Sequence, residues 1–526
     1  MSEDHTPVAD PIAEFPCGAA RGRTEAGLHV YRGLRYALPP EGPRRWQPPV
    51  PVPDQPGVLD ATEFGPACPQ SFRRPGSVYE VEIPNRQEDC LNLNIWAPEG
   101  AKDLPVFVWI HGGNLLRGAG SEPLTNGAEL AKRGQVVVTI NYRLGILGYL
   151  AHRELSAESA EGVSGNYGLL DQIAALEWVR RNIAAVGGDP ANVTVAGESA
   201  GALSVYYLLC APAAKGLFKR AIAQSGHICA AQHLSEDRYG MGTGHASGEA
   251  ILQALGADSI AELRERDAQE LAVEAVAKGF AAQAVIDGIT LPDQPADMMR
   301  DGRSHAVPLL AGFNSGEILT LEFLCPPVPE SAEAYEAAIR ARYGDRAGAF
   351  LARYPATDLK RSLETAASDA LFGWTAMAAV KAQVANGRGA YLYYFDHGYP
   401  EADDKGLHGF HACEIAYVFD TMADAPPAWP KAPDTEAERD LTRVIGDYWT
   451  SFARDGRPRS EGAPDWPDYR DGEPVLHFAD RPELVRDFMP GLYDYVEGEF
   501  THRRALGTVP WNWQVGTATP LPKEEP

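Results

Sequence analysis

The sequence predicts an α/β fold, with a mostly parallel central sheet flanked by helices, and three observations carry that expectation. Apolar runs rich in β-branched residues, "LPVFVWI" from 104 and "QVVVTIN" from 135, are continuous rather than alternating, as strands buried on both faces are. Helical stretches lie between such runs. The clearest, "YGLLDQIAALEWVRRNIAAVGG" from 167, sets Leu169, Leu170, Ile173, Leu176, Val179 and Ile183 at helical spacing and closes on a double glycine. The third observation is "NVTVAGESAGALSVYYLLC" from 192, which reads as a strand, a sharp glycine-flanked turn and a small-residue start to another helix.

Taken in order, residues 1 to about 60 alternate short β-like runs with turns ("HVYRGLRYALPPEGPRRW"), which suits an antiparallel edge. The runs "AVPLLAGF" from 306 and "AYLYYFDH" from 390 are expected to add strands to the sheet. Alanine- and charge-rich stretches at approximately 231–300 and 325–385 read as helical insertions into a single domain spanning 1–526. No internal repeat or low-complexity block interrupts this pattern, and the tail "VGTATPLPKEEP" is expected to be loose.

Bulk properties narrow the function classes. A hydrophobic fraction of 44% with 52 glycines and 42 prolines suits a soluble globular chain with many ordered turns. The formal charge of −25 repels phosphate backbones and anionic lipid surfaces, so nucleic acid is not expected as a partner. The N-terminus lacks a basic segment followed by an apolar one, and no run approaches the roughly 18 residues a membrane span needs. These readings predict a cytoplasmic protein, a monomer or homodimer, with no membrane association. Its seven cysteines, from Cys17 to Cys413, form no C-x-x-C pair. Cys68 and Cys90 bracket the loop "PQSFRRPGSVYEVEIPNRQED" and could close it, although a reducing cytosol would keep them as thiols.

The chemistry begins at "GESAG", residues 197–201, a G-x-S-x-G motif between strand and helix. A strand turning directly into a helix strains its central residue, and side chains two positions either way would collide with their neighbours. Ser199 is thereby held at the carboxyl edge of the sheet above a helix N-terminus, where a nucleophile belongs. Acyl transfer also needs donors for an oxyanion, and backbone N–H groups need no reorganisation during the reaction. Ala200 supplies one, and Gly113 and Asn114 of "HGGNLLRG" supply others directly after a predicted central strand.

The stretch "GLHGFHACEIAYVF", 406–419, leaves two readings open. His408 and His411 could pair with Glu414 around a metal, or one histidine could be a catalytic base. A histidine base needs an acid to orient it, and the residues themselves leave both Asp287 and Glu317 available.

Beyond these motifs, "QEDCLNLNIWAP", "VWIHGGN", "INYRLGILGYL", "GNYGLLDQIAALEWVRRNIAAVGGDPANVTVAGESAGALSV" and "LFKRAIAQSG" together resemble the type-B carboxylesterases, the cholinesterase-like branch of the α/β-hydrolase fold. The resemblance runs from "VYRGLRYALPP" to "WNWQVG" and is weakest in the helical insertions. It implies that "GFNSGE" carries the acid as Glu317, and that "HACEIAYVF" carries the base as His411, with Glu414 supporting that turn and His408 a loop residue. It implies supporting roles for Glu198 and Ser225, no metal and no cofactor, a small-molecule ester substrate, and a close Cys68–Cys90 pair that is bridged in relatives. The implied activity is hydrolysis of carboxylic esters through an acyl-enzyme. Amide, carbamate or lactone hydrolysis by the same residues is the alternative, and a binding or adhesion homologue a distant one. At Asn114 the chain departs from the family's usual glycine or alanine.

Overall fold

The computed structural model describes residues 10–510 except 74 and 229, so the tail expected to be loose lies outside the described residues, as does the "WNWQVG" end of the resemblance. In chain order the strands are β1 (Ile12–Phe15), β2 (Gly18–Arg21), β3 (Arg23–Glu25), β4 (Leu28–Arg35), β5 (Val58–Asp60), β6 (Asn92–Pro98) and β7 (Leu104–Ile110). They continue as β8 (Val136–Ile140), β9 (Gly188–Glu198), β10 (Arg220–Gln224), β11 (Leu309–Asn314), β12 (Ala390–Phe395), β13 (Val475–Phe478) and β14 (Pro482–Val485). The main sheet has the order β3-β4-β6-β8-β7-β9-β10-β11-β12-β13-β14. From β8 to β13 every neighbouring pair is parallel, whereas β3, β4 and β6 at one edge and β14 at the other pair antiparallel.

Burial follows from this topology. Helices cover both faces of the parallel strands, so β8, β10 and β11 are buried at every position, which accounts for their unbroken apolar runs. The helix Tyr167–Asn182 buries Leu169, Ile173, Leu176 and Val179, leaves Leu170 only partly covered, and ends in a short 3₁₀ turn closed by Gly187 at φ 81°. Among the described residues no helix is long and apolar enough to cross a membrane.

Two expectations need correction. The N-terminal region is not one antiparallel edge, because β1, β2 and β5 form a separate small sheet in which β2 and β5 run parallel, while β3 and β4 extend the main sheet. The stretch 325–385 is helical, but its last helix, Trp374–Ala385, packs on β11 and β12 and so belongs to the cover of the sheet. A π-helical turn, Asp369–Gly373, precedes that helix and carries Phe372 to 5.4 Å from the His411 ring, measured between centroids. The stretch 231–300 holds the helices Gly244–Ala254, Ile260–Arg264, Ala268–Ala277 and Pro295–Arg300 joined by irregular chain.

Cys68 and Cys90 are buried free thiols in contact with each other. The Cys90 thiol is hydrogen-bonded to that of Cys68, which together with burial pushes its pKa well up. The loop between them reaches over the carboxyl ends of the parallel strands, where open α/β sheets collect their sites.

Candidate active site

Ser199 sits between β9 and the helix Ala200–Cys210 with φ 56° and ψ −121°, a conformation that costs an L-residue energy. The flanking glycines make this turn possible by close approach. A Cβ on Gly201 would lie 2.0 Å from the Ile110 carbonyl oxygen, and one on Gly197 would lie 2.5 Å from the Gly201 carbonyl carbon. The Ser199 N–H donates to Gln224 O at 2.9 Å, which ties the elbow to β10.

Directly above it runs the loop after β7. A Cβ on Gly112 would lie 3.2 Å from Ser199 Cβ, so the backbone crosses over the serine with no room for a side chain. Gly113, Asn114 and Leu115 all have positive φ, at 102°, 60° and 56°, turning successive peptides in one direction. The N–H groups of Gly113, Asn114 and Ala200 donate to no atom among the described residues. Behind the loop the buried His111 stacks on Tyr142 at 4.5 Å, accepts the Tyr142 hydroxyl on its own carbonyl at 2.8 Å, and is held neutral by burial. Gln70 clamps the far end, accepting from Gly118 N at 2.9 Å and donating to Gly118 O at 3.0 Å.

Glu317 follows β11 and is fully buried; Asn314 N donates to its Oε1 at 2.8 Å. Its other oxygen is hydrogen-bonded to His411 Nδ1. His411 Nε2 lies 3.1 Å from Glu198 Oε1. Ser199 makes no side-chain hydrogen bond to the imidazole among the described residues, although both face one cavity. Burial opposes the imidazolium, but the carboxylates of Glu198 and Glu317 outweigh it and hold His411 up to about 9. Burial raises the Glu198 carboxyl, and the imidazolium of His411 opposes this by favouring its charged form.

The remaining candidates separate clearly. His408 pairs with Asp403 at 2.6 Å and Asp396 at 3.3 Å, and these carboxylates raise it to about 9. Glu414 is held by Asn314 Nδ2 at 2.6 Å and Gln224 Nε2 at 3.0 Å, beneath the histidine-bearing turn rather than on the ring. The two histidines and Glu414 therefore point to different partners, and among the described residues no group of three or more histidine, cysteine or acidic side chains is placed to hold a metal ion. Asp287 caps its own loop, accepting from Ile289 N at 2.9 Å and Leu291 N at 3.0 Å. Ser225 is buried at φ 49°, and its hydroxyl has no partner among the described residues, so it does not bond Glu317.

Sequence reasoning missed three residues packed around the base. The Tyr79 hydroxyl donates to His411 O at 2.8 Å and is hydrogen-bonded to Thr320 Oγ1 at 2.5 Å, stapling the loop between Cys68 and Cys90 over the base and the acid. Phe372 and His227 pack in series beside His411, with burial pushing His227 down to about 4. None of them carries a motif or periodicity that marks it in the sequence. The cavity has a volume of about 720 Å³ and an apolar wall that includes Leu124, Ile415 and Trp429.

Comparison with known proteins fits this geometry. A profile described as the Carboxylesterase family matches residues 9–490. The para-nitrobenzyl esterase of Bacillus subtilis (strain 168) is 39% identical over 470 residues, covering 86% of this chain and 91% of that protein. Human carboxylesterase 3 is 30% identical over 525 residues, covering 91% of this chain and 89% of that protein. A solved structure of a PNB esterase superposes with a TM-score of 0.80 at 35% identity, covering 93% of this chain and 99% of that one.

Proposed function

The chain belongs to the carboxylesterase family and is a serine hydrolase of carboxylic esters, and on that premise we propose that Ser199, His411 and Glu317 carry the reaction. Ser199 Oγ attacks the ester carbonyl carbon while His411 Nε2 takes its proton, and Glu317 orients the ring and stabilises its charged form. The carbonyl oxygen, now carrying the negative charge, is met by the N–H groups of Gly113, Asn114 and Ala200. Collapse expels the alcohol, which leaves with the proton from Nε2. Water then repeats the cycle on the acyl-enzyme and releases the acid. The observation that carries the reading is a serine on a strained elbow sharing one cavity with a histidine whose Nδ1 is bound to a buried glutamate. Reaction requires the imidazole to turn from Glu198 toward the serine, a tightening common on substrate binding. A fluorophosphonate probe should label the wild-type protein on Ser199 and leave Ser199→Ala unlabelled; a modified peptide elsewhere would overturn the assignment.

Glu198 supplies a pH prediction. His411 works as a base only when neutral, so kcat/KM should rise with pH through the titration of the imidazolium, which the neighbouring carboxylates hold above its ordinary value. Glu198→Gln removes one of those negative charges and should move this acid limb to lower pH. A limb that stays in place in the pH–rate profile would show that Glu198 does not set the base.

Asn114 supplies another. At φ 60° it occupies a conformation that glycine adopts freely and asparagine tolerates better than most side chains, so Asn114→Gly should keep activity on small primary esters. Its side chain faces the cavity, and removing it should raise kcat/KM on esters of bulky alcohols. Unchanged selectivity across an alcohol series would refute this. Proline is not a clean probe of the donor here, because its ring demands a negative φ.

A further inference from the structure

We propose that Arg117 forms a cationic subsite selecting esters that bear a carboxylate on the alcohol half, which rests on the reading of Ser199 and His411 above and refines it. The observation is a cation without an ion-pair partner at the wall of the cavity. Its lining includes the cations Arg73 and Arg117 and the carboxylates Glu122 and Glu198. Arg73 is answered, since its Nη2 lies 3.2 Å from Glu122 Oε1. Glu198 faces His411. Arg117 has no carboxylate within ion-pair distance among the described residues. Among the described residues its guanidinium makes one hydrogen bond, from Nε to Ser71 Oγ at 3.0 Å, and neither Nη group has a protein acceptor.

A half-buried guanidinium without a counter-ion is costly, and burial together with Arg73 already disfavours its charge. A substrate carboxylate would satisfy both Nη groups at once through the bidentate geometry that arginine offers. The surrounding protein, at −25, gives an anion no long-range attraction, so selection would arise at contact.

The position indicates which half of the ester is read. Arg117 N–H donates to Gly113 O at 3.1 Å, so the side chain rises from the same turn as the proposed oxyanion donors. That loop wraps the Glu198 side of the site, where a Cβ on Gly112 would lie 3.0 Å from Glu198 Oε2. His411 Nε2, which returns the proton to the leaving oxygen, opens toward the same carboxylate. Arg117, Glu198 and His411 line the same cavity, and on this proposal the alcohol half occupies that shared flank.

The test is a ratio of kcat/KM values, para-acetoxybenzoate over para-acetoxybenzamide, which differ only in the charged group of the alcohol. Arg117→Gln should lower this ratio by about 10- to 100-fold, the range expected for a hydrogen bond between charged groups, and Arg117→Lys should retain more of it than glutamine does. An equal ratio in wild type and Arg117→Gln overturns the subsite. So does a fall confined to the pair para-nitrophenyl hemiglutarate and para-nitrophenyl butyrate, which carries the charge on the acyl half. Hydrolysis of para-acetoxybenzamide by the wild type and fluorophosphonate labelling of Ser199 report the underlying reading separately. Loss of both would overturn that reading, whereas their presence with an unresponsive ratio would overturn only the subsite.

Discussion

Ser199→Ala should lower turnover of a simple carboxylic ester by roughly 10³-fold or more, with His411→Ala and Glu317→Ala falling into the same range. The losses should be far from additive. Once the nucleophile is gone, the base has no proton to take and the acid has no cation to stabilise, so a double variant should be scarcely slower than the worse single one. What survives would come from binding and from the N–H groups around the oxyanion, which none of these changes removes. His408→Ala should leave turnover near the wild-type value, because its ring is engaged by Asp396 and Asp403 away from the serine. Steady-state kinetics on purified variants decides the matter. If His408→Ala abolished activity while His411→Ala retained it, the base would have to be reassigned. Activity that disappears with a chelator and returns with zinc would revive a metal reading of the same stretch.

Much of this arrangement was legible in the chain because the chemistry makes local demands. G-x-S-x-G was read as a turn that tolerates no side chains at 197 and 201, and the distances from Gly201 to the Ile110 carbonyl give that reading its physical cause. The choice of His411 over His408 comes from the family resemblance rather than from a local demand, and the two rings engage different carboxylates. The departure from glycine or alanine at Asn114 is readable in the chain, and asparagine there occupies a left-handed backbone that it tolerates better than most side chains. The illegible part depends on contacts between distant segments of irregular chain. Tyr79 reaches His411 across more than three hundred residues of sequence from a loop with no period. Glu198 could be recognised as a neighbour of the nucleophile, but not as the group facing His411 Nε2, because the ring's partners come from the end of β9 and the loop after β11, and the ring itself from the loop after β12. The resemblance implies a supporting role for Ser225, and only the packed core reveals that its hydroxyl has no partner among the described residues.

The "INYRLG" and "YGLLDQ" stretches, which carried the family resemblance without an assigned task, yield the largest expected effect on stability. Arg143 and Asp171 form a fully enclosed pair, with side chains 3% and 0% exposed. Two hydrogen bonds of 2.7 Å join the guanidinium to the two carboxylate oxygens, and the Arg143 N–H adds a third at 3.0 Å. Tyr167 presents its ring to the guanidinium at 5.3 Å. Asp171→Asn preserves shape but strands a buried cation, and such a loss costs about 3–5 kcal/mol. The effect should reach the site. Arg143 follows Tyr142, whose hydroxyl supports His111 O, and precedes Leu144, whose N–H donates to Cys68 Sγ at 3.3 Å. A loosened turn would therefore slacken the floor of the loop that carries Gly113 and Asn114, and turnover should fall with stability. The double variant Arg143→Met with Asp171→Leu should recover part of the stability, because it removes both charges, but not all of it, because Arg143 N–H loses its acceptor. Urea unfolding followed by circular dichroism, with activity assayed in parallel, checks both halves. A midpoint for Asp171→Asn equal to that of the wild type would mean that the pair is solvated, and the support it lends to the loop would fall with it.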